Sequence, residues 1–351
     1  MKHRKLGRTT LLVSRLGFGG IPILRVGERQ AIRVLREAFD SGVNYIDTFK
    51  GYGDSEIKIG KALGGVRDEY YLSTKLSDHT RRGAKKQLSD SLRRLKTDYI
   101  DLLYIKNLDS KEVIDRAMSK GGSLEAAREA QKAGVVGEIG FTSHTEKVAY
   151  RALRTGEYVA VMFPYSVMNV AAEKRMLPYC RKKQIGFVCM KPVAGGMLTV
   201  PSKVFKKMTK GKAKTTAAAA TRFCLGHPDV TTVIPGMERT EYLREHLTAV
   251  DVPMSAAERK RARAMVAGLE EGFCRNCGYC QPCPQNVDIP KIFRLYHIYK
   301  SFDLKANARA GYKRLDVKAN RCRKCGECLP KCPYDIDIPK MLATAHRTLS
   351  G

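Results

Sequence analysis

Eight of the eleven cysteines lie in the last 80 residues, in two short runs that could each bind a metal centre. Thiolates spaced two residues apart can wrap one iron–sulfur cubane. Zinc sites usually pair two short knuckles across a gap, and disulfides are rare in chains that are not exported. The spacing therefore predicts two [4Fe–4S] clusters. The predicted ligands are Cys274, Cys277, Cys280 and Cys283 in the first run, and Cys322, Cys325, Cys328 and Cys332 in the second.

The two cysteine runs belong to an internal repeat, because residues 283–291 match residues 332–340 at six of nine positions. The second run has three residues before Cys332 and a proline after it, which is the bacterial ferredoxin pattern; there the fourth thiolate binds the other cluster. The first run has only two residues before Cys283, so the sequence leaves open which cluster that thiolate binds. Residues 289–302 and 305–312 read as helices. This part therefore resembles the α-helical dicluster ferredoxin domain more than the small β-rich ferredoxin.

The first 270 residues alternate short β-rich runs with segments of helical periodicity. Eight such βα units in about 250 residues predict an α/β fold, a (β/α)8 TIM barrel. A doubly wound sheet is the alternative fold, but no G-x-G-x-x-G motif follows the first β-rich segment. We therefore expect a barrel over residues 1–270 and a ferredoxin-like domain over residues 271–351. The predicted strands are 15–20, 44–48, 70–75, 100–106, 138–143, 158–163, 185–191 and 230–235.

Chemistry in such a barrel belongs at the carboxyl ends of the strands, where several motifs follow in order. Residues 4–20 read RKLGRTTLLVSRLGFGG and residues 47–56 read DTFKGYGDSE. Later strands end in STK at 73–75, IGFTS at 139–143 and IPG at 234–236. Over residues 2–250 these motifs resemble those of the aldo-keto reductases. The whole chain resembles the branch of that family with a carboxyl-terminal [4Fe–4S] domain.

The resemblance implies a set of catalytic residues. Tyr52 would give a proton to the substrate oxygen, Lys75 would lower the pKa of Tyr52, and Asp47 would pair with Lys75. Typical relatives end the fourth strand in histidine, but this chain has Lys106 there. A cation at this position can stabilise negative charge on oxygen. In the family, loss of the histidine accompanies reduction of carbon–carbon double bonds. Both a carbonyl and an enone substrate stay open, as does a Lys106 that points into solvent.

The resemblance also implies a nicotinamide cofactor. Thr142 and Ser143 would hold the carboxamide, Lys191 and Gly195 the pyrophosphate, and Gly236 and Arg239 the adenosine phosphate. Arg239 favours NADP(H) over NAD(H), because it could bind a 2′-phosphate by charge-assisted hydrogen bonds. Glu245 would lie near the adenine, and Gly20 is a further candidate. A flavin is a possible third cofactor, since hydride carries two electrons and each cluster takes one. Barrels can hold its phosphate on the last two strand loops.

The chain is strongly basic, with 64 Lys and Arg against 35 Asp and Glu and a formal charge of +29. The excess is spread over both parts of the chain, since residues 272–351 hold 15 basic and 6 acidic side chains. A basic surface without a dedicated partner is the simplest reading. An acidic redox partner such as a ferredoxin is the second. Nucleic acid is unfavoured, because no basic–aromatic patch or binding motif is present.

We expect a cytoplasmic protein without a membrane span, because no apolar run approaches 20 residues and the amino terminus has no apolar signal core. The sequence favours an NAD(P)H-dependent oxidoreductase whose clusters transfer electrons. One alternative is a carbonyl or enone reductase with purely structural clusters. Another is a non-catalytic redox sensor or electron-transfer module, which the Lys106 replacement favours and the retained Asp47, Tyr52 and Lys75 oppose.

Overall fold

The eight predicted strand segments form one parallel sheet in chain order. The computed structural model describes residues 1–199, 207–209, 213–267, 273–274, 278–301 and 304–351. A two-stranded antiparallel hairpin, β1 and β2, precedes the sheet. The strands are β1 (His3–Lys5), β2 (Leu12–Ser14), β3 (Phe18–Gly19), β4 (Tyr45–Asp47), β5 (Tyr71–Leu76), β6 (Ile100–Ile105), β7 (Val136–Thr142), β8 (Ala160–Pro164), β9 (Gly186–Met190) and β10 (Thr232–Ile234).

The first and last strands of the sheet meet, so the sheet is a nearly closed barrel. Parallel bridges join Leu16 to Val233 and Gly19 to Gly236. The backbone N–H of Gly17 also donates to the carbonyl of Val233 at 2.9 Å. The predicted (β/α)8 fold is confirmed.

Helices cover the outside of the barrel, where they pack on the apolar residues of the strands. All six residues of β6 are buried, as expected for a parallel strand that is covered on both faces. Residues 171–173 form a separate 3-10 turn before helix Met176–Lys183. The helices around the barrel are Glu28–Asp40, Ser55–Leu63, Arg81–Leu95, Lys111–Met118, Ser123–Lys132, Glu146–Leu153, Met176–Lys183, Thr216–Leu225, Thr240–Val250 and Ala256–Val266.

Side chains fill the barrel interior, so it is a packed core and not a channel. The hydroxyls of Tyr45 and Tyr104 share a hydrogen bond of 2.9 Å there, and both rings are fully buried. Apolar residues of the amino-terminal hairpin join the same cluster. These residues are Leu6, Leu11 and Val13. The hairpin therefore plugs the barrel at the end where it precedes the first strand.

The carboxyl-terminal part is helical, as predicted, with helices Ile289–Ser301, Lys305–Lys313 and Ile338–Ser350. Their buried side chains, among them Phe293 and Leu342, belong to the same apolar core as the barrel helices. The predicted boundary between residues 270 and 271 falls within residues 268–272, which lie outside the described residues. None of the helices in the described part of the chain has the length and apolarity needed to cross a membrane.

Candidate functional site

The cysteines of the two runs line two neighbouring cavities. Cys274, Cys280 and Cys332 line one of them. The other is lined by Cys283 together with the triad of the second run, Cys322, Cys325 and Cys328, and Cys280 also reaches its wall. The predicted ligand Cys277 lies outside the described residues.

This arrangement fits two cubanes that exchange their fourth ligands. Cys274 and Cys280 of the first run lie beside Cys332, and the triad of the second run lies beside Cys283, as in the ferredoxin pattern. Among the described residues, no three Cys, His, Asp or Glu side chains converge on one metal-ion position. The thiols line cavity walls instead. The structure thus places Cys283 with the second triad, a choice that the irregular spacing of the first run left open.

Asp47 and Lys75 form a buried ion pair at the ends of β4 and β5. The Lys75 ammonium donates to both carboxylate oxygens of Asp47, at 2.5 and 2.7 Å, and to the Thr48 carbonyl at 2.7 Å. Ser73 donates a further hydrogen bond to Asp47 at 2.7 Å. Burial raises the pKa of Asp47 and lowers that of Lys75, while their mutual attraction opposes both shifts. The predicted pairing is present, and it fixes Lys75 in the barrel mouth.

Tyr52 lies on the loop after β4, with its ring centroid 5.5 Å from the Lys75 ammonium nitrogen. Burial, and then the charge of Asp47, raise the pKa of Tyr52 above its ordinary value. The Lys75 ammonium, which we expect to lower this pKa, is paired with Asp47 and with the Thr48 carbonyl, and the net shift is upward. Tyr52 therefore keeps its proton at neutral pH, as an acid must.

Lys106, which follows β6, points into the mouth and not into solvent. Its ammonium nitrogen lies 5.0 Å from the ring centroid of Phe49. Burial, followed by the charge of Lys75, lowers the pKa of Lys106 to about 8. Lys106 therefore joins Asp47, Tyr52 and Lys75 at the same end of the barrel.

Asp109 and His144, which form a hydrogen-bonded group with Ser143 near Lys106, were not predicted as site residues. Asp109 accepts hydrogen bonds from the backbone N–H of His144 at 2.6 Å and from the Ser143 hydroxyl at 2.9 Å. Burial raises the pKa of Asp109, but the hydrogen bonds from His144 outweigh it and hold that pKa below its ordinary value. Burial lowers the pKa of His144 to about 4, so its imidazole is neutral at pH 7. His144 reads as an ordinary loop residue in the sequence, and only the fold brings it here.

The residues predicted to hold the nicotinamide carboxamide end β7 and are buried. The Thr142 hydroxyl accepts from the backbone N–H of Asn107 at 3.0 Å, and Ser143 donates to Asp109. Gly20 follows β3, across the barrel from β7, and its backbone N–H donates to the carbonyl of Asp47 at 2.8 Å. The Thr142 and Ser143 side chains thus bind the loop after β6. They lie at the carboxyl ends of the barrel strands, where the sequence predicts the site.

The residues predicted for the rest of the cofactor follow β9 and β10 in the chain. Lys191 and Gly195 have positive φ angles of 57° and 66°. Gly236 packs against Pro22 closely enough that a Cβ would lie 2.2 Å from its ring. Arg239 is exposed at the start of helix Thr240–Val250, and in that helix Glu245 accepts from the Thr215 hydroxyl at 3.3 Å.

The cluster-binding segments contact this end of the barrel. Tyr279, from the first cysteine run, donates its hydroxyl proton to Asn107 Oδ1 at 2.9 Å. Thr145 donates to the carbonyl of Pro333, the residue after Cys332, at 3.4 Å. Both contacts come from segments that line the cavity of Cys274, Cys280 and Cys332, which we call the first cavity. This cavity therefore adjoins the loops after β6 and β7.

Comparison with known proteins agrees with this geometry. Residues 15–267 match the model of the aldo/keto reductase family, and residues 273–336 match that of the 4Fe-4S dicluster domain. The chain is 26% identical to L-galactose dehydrogenase of Arabidopsis thaliana over 278 residues, covering 70% of this chain and 87% of that protein. It is 28% identical to the Bacillus subtilis oxidoreductase YqkF over 299 residues, covering 75% of this chain and 95% of that protein.

A solved structure shows the same fold. The holo form of the aldo-keto reductase AKR11C1 from Bacillus halodurans superposes with a TM-score of 0.66 at 29% identity, covering 76% of this chain and 96% of that one. The shared region is the barrel, and the family match spans most of the chain. This chain therefore belongs to the aldo-keto reductase family, and a 4Fe–4S dicluster domain follows its barrel.

Proposed function

We propose that this protein is an NAD(P)H-dependent oxidoreductase that transfers hydride at the barrel mouth and moves electrons through two [4Fe–4S] clusters. One observation carries the electron-transfer part of the proposal. Tyr279, inside the first cysteine run, is hydrogen-bonded to Asn107, which directly follows Lys106. The substrate would be reduced in the predicted barrel domain, residues 1–270, and the clusters would be bound in the predicted ferredoxin-like domain, residues 271–351.

The barrel residues have distinct roles in the proposed reduction. The nicotinamide supplies hydride to the acceptor carbon when it is bound. Tyr52 gives its proton to the oxygen, and its raised pKa keeps that proton available. Lys106, as a cation, stabilises the negative charge that develops on the oxygen. Asp47 fixes the position of Lys75. The substrate class is a small carbonyl compound or an enone.

The cofactor assignment rests on position and charge. Thr142 and Ser143 lie at the end of β7 and would face the carboxamide, and Gly20 follows β3 on the opposite side of the barrel. Lys191 and Gly195 would contact the pyrophosphate, and Gly236 and Glu245 the adenosine end. The exposed guanidinium of Arg239 supports NADP(H) over NAD(H), because it is free of the barrel core and could bind a 2′-phosphate.

Electron counting defines what else the proposal requires. A hydride that goes to the acceptor carbon leaves no electrons for the clusters, so the electron path would use a separate hydride equivalent, whose two electrons match one electron for each of two clusters. A flavin on the loops after β9 and β10 would allow the pair to be split. The formal charge of +29 would attract an acidic redox partner such as a ferredoxin. Thiolates that bind clusters need a reducing compartment, which supports a cytoplasmic setting.

The packing of the cysteines favours a second candidate, a carbonyl or enone reductase with structural clusters. Cys274, Cys283 and Cys332 pack against the apolar core, where bound clusters would hold the carboxyl-terminal helices together. The two candidates are separated by assaying NADPH oxidation with a panel of aldehydes, ketones and enones before and after cluster removal. Turnover that stops with cluster loss, while NADPH still binds, supports electron transfer only together with reduction of the clusters by NADPH in the intact protein, because cluster loss would also disturb the adjoining barrel loops. Unchanged turnover supports the structural role.

A further inference from the structure

Tyr279 belongs to the first cysteine run, yet its side chain lies against the barrel loops. Its hydroxyl donates to Asn107 Oδ1 at 2.9 Å and lies 3.1 Å from each ring nitrogen of His144. The Tyr279 and His144 rings meet edge to face, with centroids 4.8 Å apart and planes at 80°. One side chain of the cluster-binding run thus contacts the loops that follow both β6 and β7.

The loop that Tyr279 holds is the one that carries Lys106. Asn107 adopts a φ of 58°, in the left-handed region that few residues other than glycine tolerate. Its backbone N–H donates to the Thr142 hydroxyl at 3.0 Å, and its side chain accepts from Tyr279. Because Asn107 is fixed at both its backbone and its side chain, the preceding Lys106 has a defined direction.

Tyr279 also covers the Lys106 ammonium. The ammonium nitrogen lies 5.8 Å from the Tyr279 ring centroid and 5.0 Å from that of Phe49, so two aromatic rings flank it. Both distances are within the range of cation–π attraction. Removal of the Tyr279 ring would open one side of Lys106 to water.

The internal repeat shows that cluster binding does not require an aromatic residue at this position. The first run reads CRNCGYC and the second CRKCGEC, so Glu327 is the counterpart of Tyr279. The preceding glycines, Gly278 and Gly326, have nearly the same φ angles of 82° and 80°. Glu327 is exposed, whereas Tyr279 reaches the barrel. The two glycine φ angles agree, and the side chains that follow them differ in what they contact.

We propose that Tyr279 is a positioning residue of the reductase site, which orders the loop bearing Lys106 and shields its ammonium. The binding loop of the first cluster thereby becomes a wall of the barrel site. An intact first cluster would then be needed for a well-ordered reductase site, as well as for electron transfer. The kinetic part of this inference rests on the proposed function, and the part about the environment of Lys106 does not.

The test uses the full-length protein with its clusters, handled anaerobically, and compares Tyr279→Phe and Tyr279→Ala with a matched Glu327→Ala control. Iron content and the visible spectrum verify that the clusters are present. The first readout is the rate at which a small anhydride acylates Lys106, measured by mass spectrometry as a function of pH. The second is kcat and KM for NADPH-dependent reduction. The charged and titratable groups that face Lys106 and stay unchanged in all variants are Lys75, Asp109, Lys191, His79 and His144.

Tyr279→Ala is expected to raise the labelling midpoint of Lys106 from about 8 towards the ordinary value of 10.5, because water then reaches the ammonium. We expect kcat to fall by roughly tenfold or more with full cluster content, because a misplaced group costs rate more than binding. Tyr279→Phe keeps the ring, so the midpoint should stay while kcat falls less. Glu327→Ala should change neither value.

An unchanged midpoint and unchanged kcat in Tyr279→Ala, at full cluster content, would overturn the inference. Equal effects from Glu327→Ala would also overturn it, because they would show a general disturbance of the cysteine runs. If Tyr279→Ala shifts the labelling midpoint of Lys106 but the protein reduces no carbonyl or enone, the role of Tyr279 is supported and the proposed reductase function is contradicted.

Discussion

Tyr52 keeps its proton because burial and the charge of Asp47 both oppose its ionisation. Tyr52→Phe removes only the hydroxyl, and we expect kcat to fall by about 10²–10⁴-fold, the usual contribution of a positioned acid. The Kd for NADPH, measured by fluorescence, should change by less than about twofold, because the hydroxyl acts in the reaction step and does not contribute to binding of the cofactor. Tyr99→Phe is the control, because Tyr99 immediately precedes β6 at the opposite end of the barrel. A Tyr52→Phe variant with normal kcat would remove Tyr52 from the mechanism.

Lys106 gives the reaction its predicted pH dependence. The pKa of its ammonium is lowered to about 8 by burial and by Lys75, so Lys106 is cationic below pH 8 and neutral above it. The pKa of Tyr52 is raised and gives no ionisation in that range. We therefore expect kcat/KM to decline as pH rises through about 8. Lys106→Met should lower kcat/KM below pH 8 and abolish this decline. A decline that persists in Lys106→Met would assign it to another group.

At the residue scale, the sequence predicted the groups that form motifs and missed those that meet only by folding. Asp47, Tyr52 and Lys75 follow strand ends in a recognisable order, and the structure brings them together. Tyr279 is 172 residues from Asn107, so no local pattern signals their contact. The contact depends on how the cluster domain packs against the barrel.

At the scale of elements, the strands were predictable because buried parallel strands are continuous apolar runs between turn residues. Two helices that follow site loops, Ser55–Leu63 and Lys111–Met118, were not predicted. The first has most of its residues buried, including Glu56 and Lys58, so it lacks the polar face by which a surface helix is recognised. The second spans only eight residues, too short for a clear period.

The contact between β3 and β4 depends on Gly20. A Cβ at this position would lie 2.6 Å from the Asp47 carbonyl oxygen and 2.9 Å from the Ser55 hydroxyl. Gly20→Ala should therefore destabilise the protein by about 1–3 kcal/mol, the usual cost of overpacking, and displace Asp47. Urea unfolding measures the change. Gly64→Ala is the control, because Gly64 has helical backbone angles and a Cβ there would have no neighbour within 4 Å. Equal free energies of unfolding for both variants would contradict the close approach of Gly20 to the Asp47 carbonyl.

We propose that the two clusters exchange their fourth ligands, which would make the two cysteine runs interdependent. Cys283 lines the cavity of the second triad, whereas Cys332 lines that of the first. We expect Cys283→Ala to lose the second cluster and Cys332→Ala the first, each lowering iron and sulfide by about half. In the latter variant, the first-run cysteines should become reactive to thiol reagents. Cys180→Ala, at a buried cysteine of the barrel, should keep full iron. Reactive second-run thiols in Cys332→Ala would contradict the assignment.

At the scale of the whole molecule, the cluster domain lies beside the carboxyl ends of the barrel strands, where the family places its chemistry. Both segments that line the first cavity make hydrogen bonds to the loops after β6 and β7. The sequence predicted the two domains, but their contact could not be predicted. It depends on surfaces far apart in the chain, and neither domain alone carries a pattern for it.

The central claim is that the barrel and the clusters form one electron path. An anaerobic titration of the freshly purified protein with NADPH tests it most directly, with cluster absorbance, the spin signal of reduced clusters, and iron, sulfide and flavin content measured on the same sample. We predict that NADPH bleaches the cluster absorbance and produces the spin signal. Clusters that stay oxidised under NADPH, while a chemical reductant poised at the same potential reduces them, would contradict the claim.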